Sequence, residues 1–145
     1  MEKKQVVGYA RIGKEGALTG DMSPQIQLIK DTVSKRPEWE MAWIYTDEGV
    51  SGRAKRRFGF DQMINDAEAH KFDVIIVKRI ETFSRDYEQA RKTIQRLHEL
   101  GIEVFFIADN VSSTDDAFKT ILSLLCIIDE KERELLSERK RLKTT

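Results

Sequence analysis

The chain has 145 residues, with 25 basic and 25 acidic side chains, a formal net charge of zero and 40% hydrophobic residues. That is the length of one domain with a real core, and the balanced charge leaves only local clusters to speak for or against a polyanionic partner. The single cysteine, Cys126, excludes an intramolecular disulfide and a cysteine-based zinc cluster, and the two histidines, His70 and His98, lie far apart, so no metal constellation is visible.

Met-Glu-Lys-Lys leads straight into a short apolar segment, too short for a signal sequence or a membrane span, so a soluble cytoplasmic protein without membrane contact is expected. Gln5–Ala10 reads as the first strand, and Arg11-Ile12-Gly13 leaves it. In open α/β sheets chemistry gathers just beyond the carboxyl ends of the strands, so Arg11 stands where a fixed positive charge meets an anion. Residues 14–22 form a polar, two-glycine loop, expected to be mobile. Ser23-Pro24 reads as an N-cap followed by proline in the first turn. Ile26, Ile29 and Val33 continue at helical spacing to about Arg36, with Gln27 in the first turn near Arg11.

Met41–Thr46 reads as a second strand, followed by the turn-rich Asp47–Gly52 and the basic residues Arg53, Lys55, Arg56 and Arg57. A run of this kind is by default a solvated loop; its other use is to hold phosphates. Phe60, Met63, Ile64 and Ala67 mark one apolar helix face. Asp73–Val77 is a continuous apolar run suited to a buried parallel strand, and it exits into Lys78–Arg85. Asp86 with Gln89 resembles a capping box. Tyr87, Ala90, Ile94 and Leu97 line the inner face of the helix that follows, Gly101 stops it, and Glu103–Ile107 is a fourth strand.

From Ser113 or Thr114 a last helix runs to about Leu142. Between Phe118 and Ile128 its apolar residues surround the axis, which predicts cover on all sides, partly from another subunit. Its second half is charged, and four of the last seven residues are basic (Arg139, Lys140, Arg141, Lys143). About 28 residues at ~1.5 Å each make a rod of ~42 Å, which must project from the domain. The alternation of strands and helices predicts an α/β fold: a mostly parallel central sheet with helices on both faces and a long projecting C-terminal helix. The closing Lys-Thr-Thr suggests a larger parent protein.

The carboxyl ends of the first and third strands gather Arg11, Lys78, Arg79 and Arg85, with Arg53 to Arg57 between them. Guanidinium groups bind phosphate oxygens through paired, charge-assisted hydrogen bonds, and several aimed at one point stabilise a phosphoryl-transfer transition state. The Gly-rich phosphate loop of nucleotide enzymes is absent, so a phosphodiester backbone is the better ligand than ATP, with no small-molecule cofactor and no metal.

These same residues carry a resemblance. Tyr9-Ala10-Arg11-Ile12, Gln27, Asp47-Glu48-Gly49-Val50-Ser51-Gly52, Arg57-Phe58-Gly59-Phe60, Asp73–Val77, Phe83-Ser84-Arg85-Asp86, and Glu132-Arg133 through Glu138-Arg139 occur in the order found in the serine recombinases. The resemblance, to the resolvase/invertase family and the large serine integrases, covers residues 1–145. It implies a catalytic domain for site-specific DNA recombination that acts as a dimer, and as a tetramer during strand exchange. In that family a serine attacks the DNA phosphate and leaves a 5′-phosphoserine link. By resemblance Arg11 and Arg85 hold the scissile phosphate, Gln27 and Arg57 support the site, and Asp73 orders the arginines. Residues 114–145 form the helix of oligomerisation and DNA approach, with Arg133, Arg139, Lys140 and Arg141 near the DNA. A downstream DNA-binding domain is expected to be missing from this chain.

Two positions depart from the family pattern. Gly13 stands where the nucleophilic serine belongs, and Thr82 stands where a further arginine belongs, after Glu81. Without an oxygen at residue 13 the family's covalent intermediate cannot form, and losing one transition-state donor costs ~10²–10³ in rate. Ser51 and Ser84 read as turn or packing residues and Ser23 as a helix cap, which leaves Thr19 as the substitute hydroxyl to test. An impaired recombinase is the leading reading. Its alternatives are an inactive partner that regulates an active recombinase, a non-catalytic DNA-binding module, and an unrelated small-ligand domain.

Overall fold

Val6, Val7, Val74, Ile75, Ile76 and Val77 are completely buried. Strands with no face left for water must be covered by helices on both sides, which is the condition for a parallel sheet. The computed structural model describes residues 3–13, 22–49 and 57–143. Its elements run β1 (Lys4–Ile12), α1 (Ser23–Ser34), β2 (Trp39–Glu48), α2 (Phe58–Glu68), β3 (Val74–Val77), α3 (Ile80–Phe83), α4 (Tyr87–Glu99), β4 (Glu103–Phe106), β5 (Val111–Ser112) and α5 (Asp116–Lys143). The five strands lie in the order β2-β1-β3-β4-β5. The first four are parallel and β5 pairs antiparallel with β4.

One face of the sheet packs Val6, Ala10, Val74, Ile76 and Phe105 against Ile29 and Val33 of α1. Helix α1 lies on bare backbone at Gly8, where a Cβ would come within 2.7 Å of Ile29 Cγ2. The opposite face packs Val7, Tyr9, Ile75, Val77, Val104 and Phe106 under α2, α3, α4 and the first half of α5. Helices on both faces and the mostly parallel sheet are as the strand–helix alternation predicts.

The differences are local. Both ends of β2 extend beyond the expected limits, and β2 carries a bulge, since Val6 pairs with Met41 and Val7 with Trp43. A bulge reverses the inside–outside alternation along a strand, which obscures its length in the sequence. The short helix α3 and the two-residue β5 hold too few residues to generate a period. Ser23 is the first residue of α1 rather than its cap; Met22 occupies the cap position without a side-chain bond, and proline still lies in the first turn. Asp86 caps α4 by accepting from Gln89 N at 3.2 Å, and Gly101 follows that helix at φ 78°, both as expected.

Helix α5 starts at Asp116, and Ser113 instead accepts a hydrogen bond from Val104 N at 2.9 Å. Phe118, Leu122 and Cys126 are buried, and Phe118 stacks on Phe106 with centroids 4.9 Å apart. The other side of the same turns is open: Ile121, Leu124, Ile127 and Ile128 are 46–54% exposed. Within one chain the helix is therefore covered along a single stripe, not all round. From Glu130 to Leu142 every residue is exposed, so the charged half extends past the body of the domain. Among the described residues no helix is long and apolar enough to cross a membrane.

Replacing Phe118 by alanine removes the ring that seats α5 and should cost about 3–5 kcal/mol. Ile127→Ala, on the open side, should stay within about 0.5 kcal/mol. Chemical denaturation of the two variants side by side checks the difference.

Candidate functional site

The site grows from the register of β1 and β2. Tyr9 pairs with Tyr45 and Arg11 with Asp47, at the carboxyl end of the sheet. Arg11 lies inside β1, not beyond its end, and is 8% exposed. Ile12 O accepts from Gly49 N on the β2 side. Successive residues of a strand turn their backbone groups to opposite sides, so the N–H and C=O of Arg11 face the β3 side. Strand β3 has already stopped there at Val77, opposite Tyr9. The side-chain amide of Gln25 takes the place of the missing strand: Arg11 N donates to Gln25 Oε1 at 3.1 Å, and Gln25 Nε2 donates to Arg11 O at 3.3 Å. The guanidinium is held as well, donating from Nε to Thr82 O at 3.2 Å and from Nη2 to Glu81 O at 2.8 Å. Arg11 thus ties β1 to both α1 and α3.

Beside it, the buried carboxylate of Asp47 accepts from Tyr9 OH at 2.6 Å, from Gly59 N at 2.8 Å and from Phe60 N at 3.0 Å. The last two are orphan donors at the start of α2, so a residue of β2 caps that helix. Gly59 permits the approach, because a Cβ there would lie 2.4 Å from Thr46 O. Arg57, at the N-cap position of α2 and 6% exposed, places its guanidinium carbon over Phe60, 3.9 Å from the ring centroid. Its Nη1 donates a long bond of 3.4 Å to Tyr9 OH. Burial, reinforced by the bond to Asp47, pushes the Tyr9 hydroxyl well above the usual tyrosine range, so Tyr9 stays a proton donor. Burial lowers the Arg11 pKa, and repulsion from Arg57 and Arg85 lowers it further. An arginine remains charged through such a shift, and Arg57 and Arg85 are near enough to Arg11 to repel it.

The structure brings together Arg11, Arg57 and Arg85 from the expected set. Arg85 is exposed and makes no ion pair among the described residues. Gly13 is half-buried, and a Cβ added to it would meet no described atom within 4 Å. Gln27 is exposed and donates to Asp31 at 2.8 Å, and the glutamine bonded to Arg11 is Gln25. Residue 25 lies one turn before Ile29 and so shares the sheet-facing side, whereas residue 27 points about 200° away from Ile29. Asp73 is also displaced. It sits at the opposite end of β3, accepting from Gln5 N at 2.9 Å, and in register it aligns with Gln5, six residues before Arg11. At ~3.3 Å per residue that is ~20 Å from Arg11, too far to order the arginines.

Ser84 is buried in the turn before α4, donating to Asp86 O and accepting from Asp86 N. Arg133 pairs with Asp129 one turn back at 2.7 Å, and Arg139, Lys140 and Arg141 are exposed on the far half of α5. Thr19, Ser51, Arg53, Lys55 and Arg56 lie outside the described residues. No group of three or more His, Cys, Asp or Glu among the described residues is placed to hold a metal ion. Tyr9, Gln25 and Asp47 are the site residues that sequence reasoning gave no role. The signal for Asp47 was the alternation from Tyr45, which turns residue 47 toward the same face.

Asp47→Ala should destabilise the fold by about 2–4 kcal/mol, since a helix cap is lost and buried donors are left without a partner. A shift in the denaturation midpoint at unchanged slope is the expected measurement.

Comparison with known proteins identifies the family and the fold. A family model described as "Resolvase, N terminal domain" matches residues 6–144. The Transposon Tn3 resolvase of Escherichia coli is 28% identical over 135 residues, covering 93% of this chain and 67% of that protein. The N-terminal catalytic domain of TP901-1 integrase superposes with a TM-score of 0.74 at 24% identity, covering 91% of this chain and 98% of its own. A resolvase family site-specific recombinase from Streptococcus pneumoniae gives a TM-score of 0.79 at 18% identity, covering 98% of each chain. At these identities the two structures establish the fold, and the family match extends over nearly all of the sequence. The chain belongs to the resolvase N-terminal domain family, the catalytic-domain family of the serine site-specific recombinases.

Proposed function

We propose that this domain binds a DNA phosphodiester in the cluster Arg11, Arg57 and Arg85 and is impaired in cutting it. The observation that carries the reading is Gly13: two residues from Arg11 it offers no side-chain oxygen, and a Cβ there would meet no described atom within 4 Å. The first two arginines are locked in place, which suits stabilisation of a phosphoryl group, since donors fixed beforehand need no reorganisation. Covalent catalysis requires an attacking atom, and at residue 13 there is none. Thr82 contributes its carbonyl to Arg11 but brings no positive charge of its own. Arg133, Arg139, Lys140 and Arg141 on α5 extend the DNA contact. A second reading follows from the same glycine: a chain that engages DNA and its relatives without cleaving would regulate an active recombinase by joining its assembly.

No covalent protein–DNA adduct is expected from this chain on a suicide substrate, and Gly13→Ser alone should remain near the limit of detection. Gly13→Ser with Thr82→Arg, fused to a DNA-binding domain and tested on its site, should trap a 5′-phosphoserine adduct on a denaturing gel. Adduct formation by the unchanged chain would refute the impairment and point first to Thr19.

Self-association is proposed through α5. Ile121, Ile128, Leu135 and Leu142 recur every seventh residue, and with Leu124 they are 46–76% exposed. A seven-residue apolar spacing is the pattern by which two helices pack along a seam. Sedimentation equilibrium at micromolar concentration should show a dimer or larger species, and Ile128→Asp should shift it toward monomer.

A further inference from the structure

We propose that Tyr9 is a positioning residue that sets the direction of the Arg57 guanidinium while keeping a carboxylate from neutralising it. The proposal rests on the reading of the arginine cluster as a phosphodiester site.

The donor inventory fixes the polarity of the chain of bonds. A carboxylate only accepts and a guanidinium only donates. Tyr9 OH, 2.6 Å from Asp47 Oδ2, therefore gives its proton to Asp47 and turns a lone pair toward Arg57 Nη1 at 3.4 Å. Tyr9 is completely buried, so no water competes for either bond. Phe60 supplies the other constraint. Its ring lies 3.9 Å from the guanidinium carbon, and that ring is itself held edge-on by Tyr9 at 5.4 Å and by Phe83 at 5.1 Å. A cation–ring contact sets no direction for the individual N–H groups, and the Tyr9 oxygen is the hydrogen-bond acceptor that gives Arg57 Nη1 one.

The arrangement also separates charges. Asp47 makes no ion pair with Arg57, whose partners are a hydroxyl and two rings. A carboxylate directly on Arg57 would compete with an incoming phosphate. A neutral hydroxyl transmits the orientation set by Asp47 and leaves the positive charge for the ligand.

Binding of the full chain to a fluorescently labelled DNA duplex, followed by anisotropy across a salt series, tests this. Arg57→Ala should weaken binding about 10-fold and reduce the slope of log affinity against log salt by about 1. Tyr9→Phe, which keeps the ring, should weaken binding about 3–10-fold and flatten the slope in the same way, and the double variant should be no weaker than Arg57→Ala alone. A merely structural tyrosine would leave the slope unchanged in the folded variant. Arg57→Lys keeps the charge without the planar fork and should lose nearly as much as Arg57→Ala; this variant decides the matter should Tyr9→Phe not fold. Full affinity in Arg57→Lys, full affinity in Tyr9→Phe, or losses that add in the double variant would overturn the positioning role. An Arg57→Ala variant that binds as the parent does would overturn the phosphodiester reading itself, and the positioning role with it.

Discussion

The carboxylate of Asp47 is the constraint on which the end of this sheet depends. It reaches from β2 to Tyr9 on β1 and to the first free amides of α2, joining three elements that are distant in sequence. Each bond is charge-assisted, and the one from Tyr9 is buried, where such bonds are at their strongest. Because the capping group comes from a strand rather than from the residue before the helix, the position of α2 is set by the sheet. Arg57, at the start of that helix, inherits the setting. Arg11 is fixed by a different means, through neutral carbonyls of α3 and the amide of Gln25. The two arginines are thus placed by independent sets of contacts that meet at one edge.

Much of this was legible in the residues. The apolar runs at Val6–Ala10 and Val74–Val77 have the composition of strands buried on both faces, and the spacing of Ile29 with Val33 and of Ala90, Ile94 and Leu97 marks the faces that cover them. Arg11 could be singled out by its place at a strand end, and Arg57 and Arg85 through the resemblance to the serine recombinases. What escaped were the groups that act through geometry alone. Gln25 and Gln27 are the same residue type two positions apart, and only the phase of α1 relative to the sheet distinguishes them. Asp73 stands next to a strand, but parallel strands have a chemical end and a non-chemical end, and it lies at the latter. The short α3 and β5 are products of tertiary packing, with too few residues to announce themselves.

The contrast between Arg11 and Gly13 defines the character of the site. One has its backbone and its side chain tied down; two residues away the other presents no side chain at all. Placing buried guanidiniums close together opposes folding through their mutual repulsion and desolvation, and the neutral partners around Arg11 and the rings around Arg57 offset it. On the function proposed above, this arrangement beside Gly13 separates recognition of a phosphate from its chemistry, two tasks that one active site ordinarily performs together.

The anchoring of α5 has a mechanical consequence. Phe118, Leu122 and Cys126 grip only the first turns, while Glu130–Leu142 lies outside the core. A rigid arm of about 14 residues extends ~21 Å from the last anchor. A pivot of about 10° at Cys126 then carries the tip through ~4 Å, about two thirds of the helix's own pitch of ~5.4 Å. Small adjustments of packing between α4 and α5 are thereby geared up into larger displacements at Arg139–Arg141. The helix works as a pointer whose bearing is the stacked pair Phe106 and Phe118.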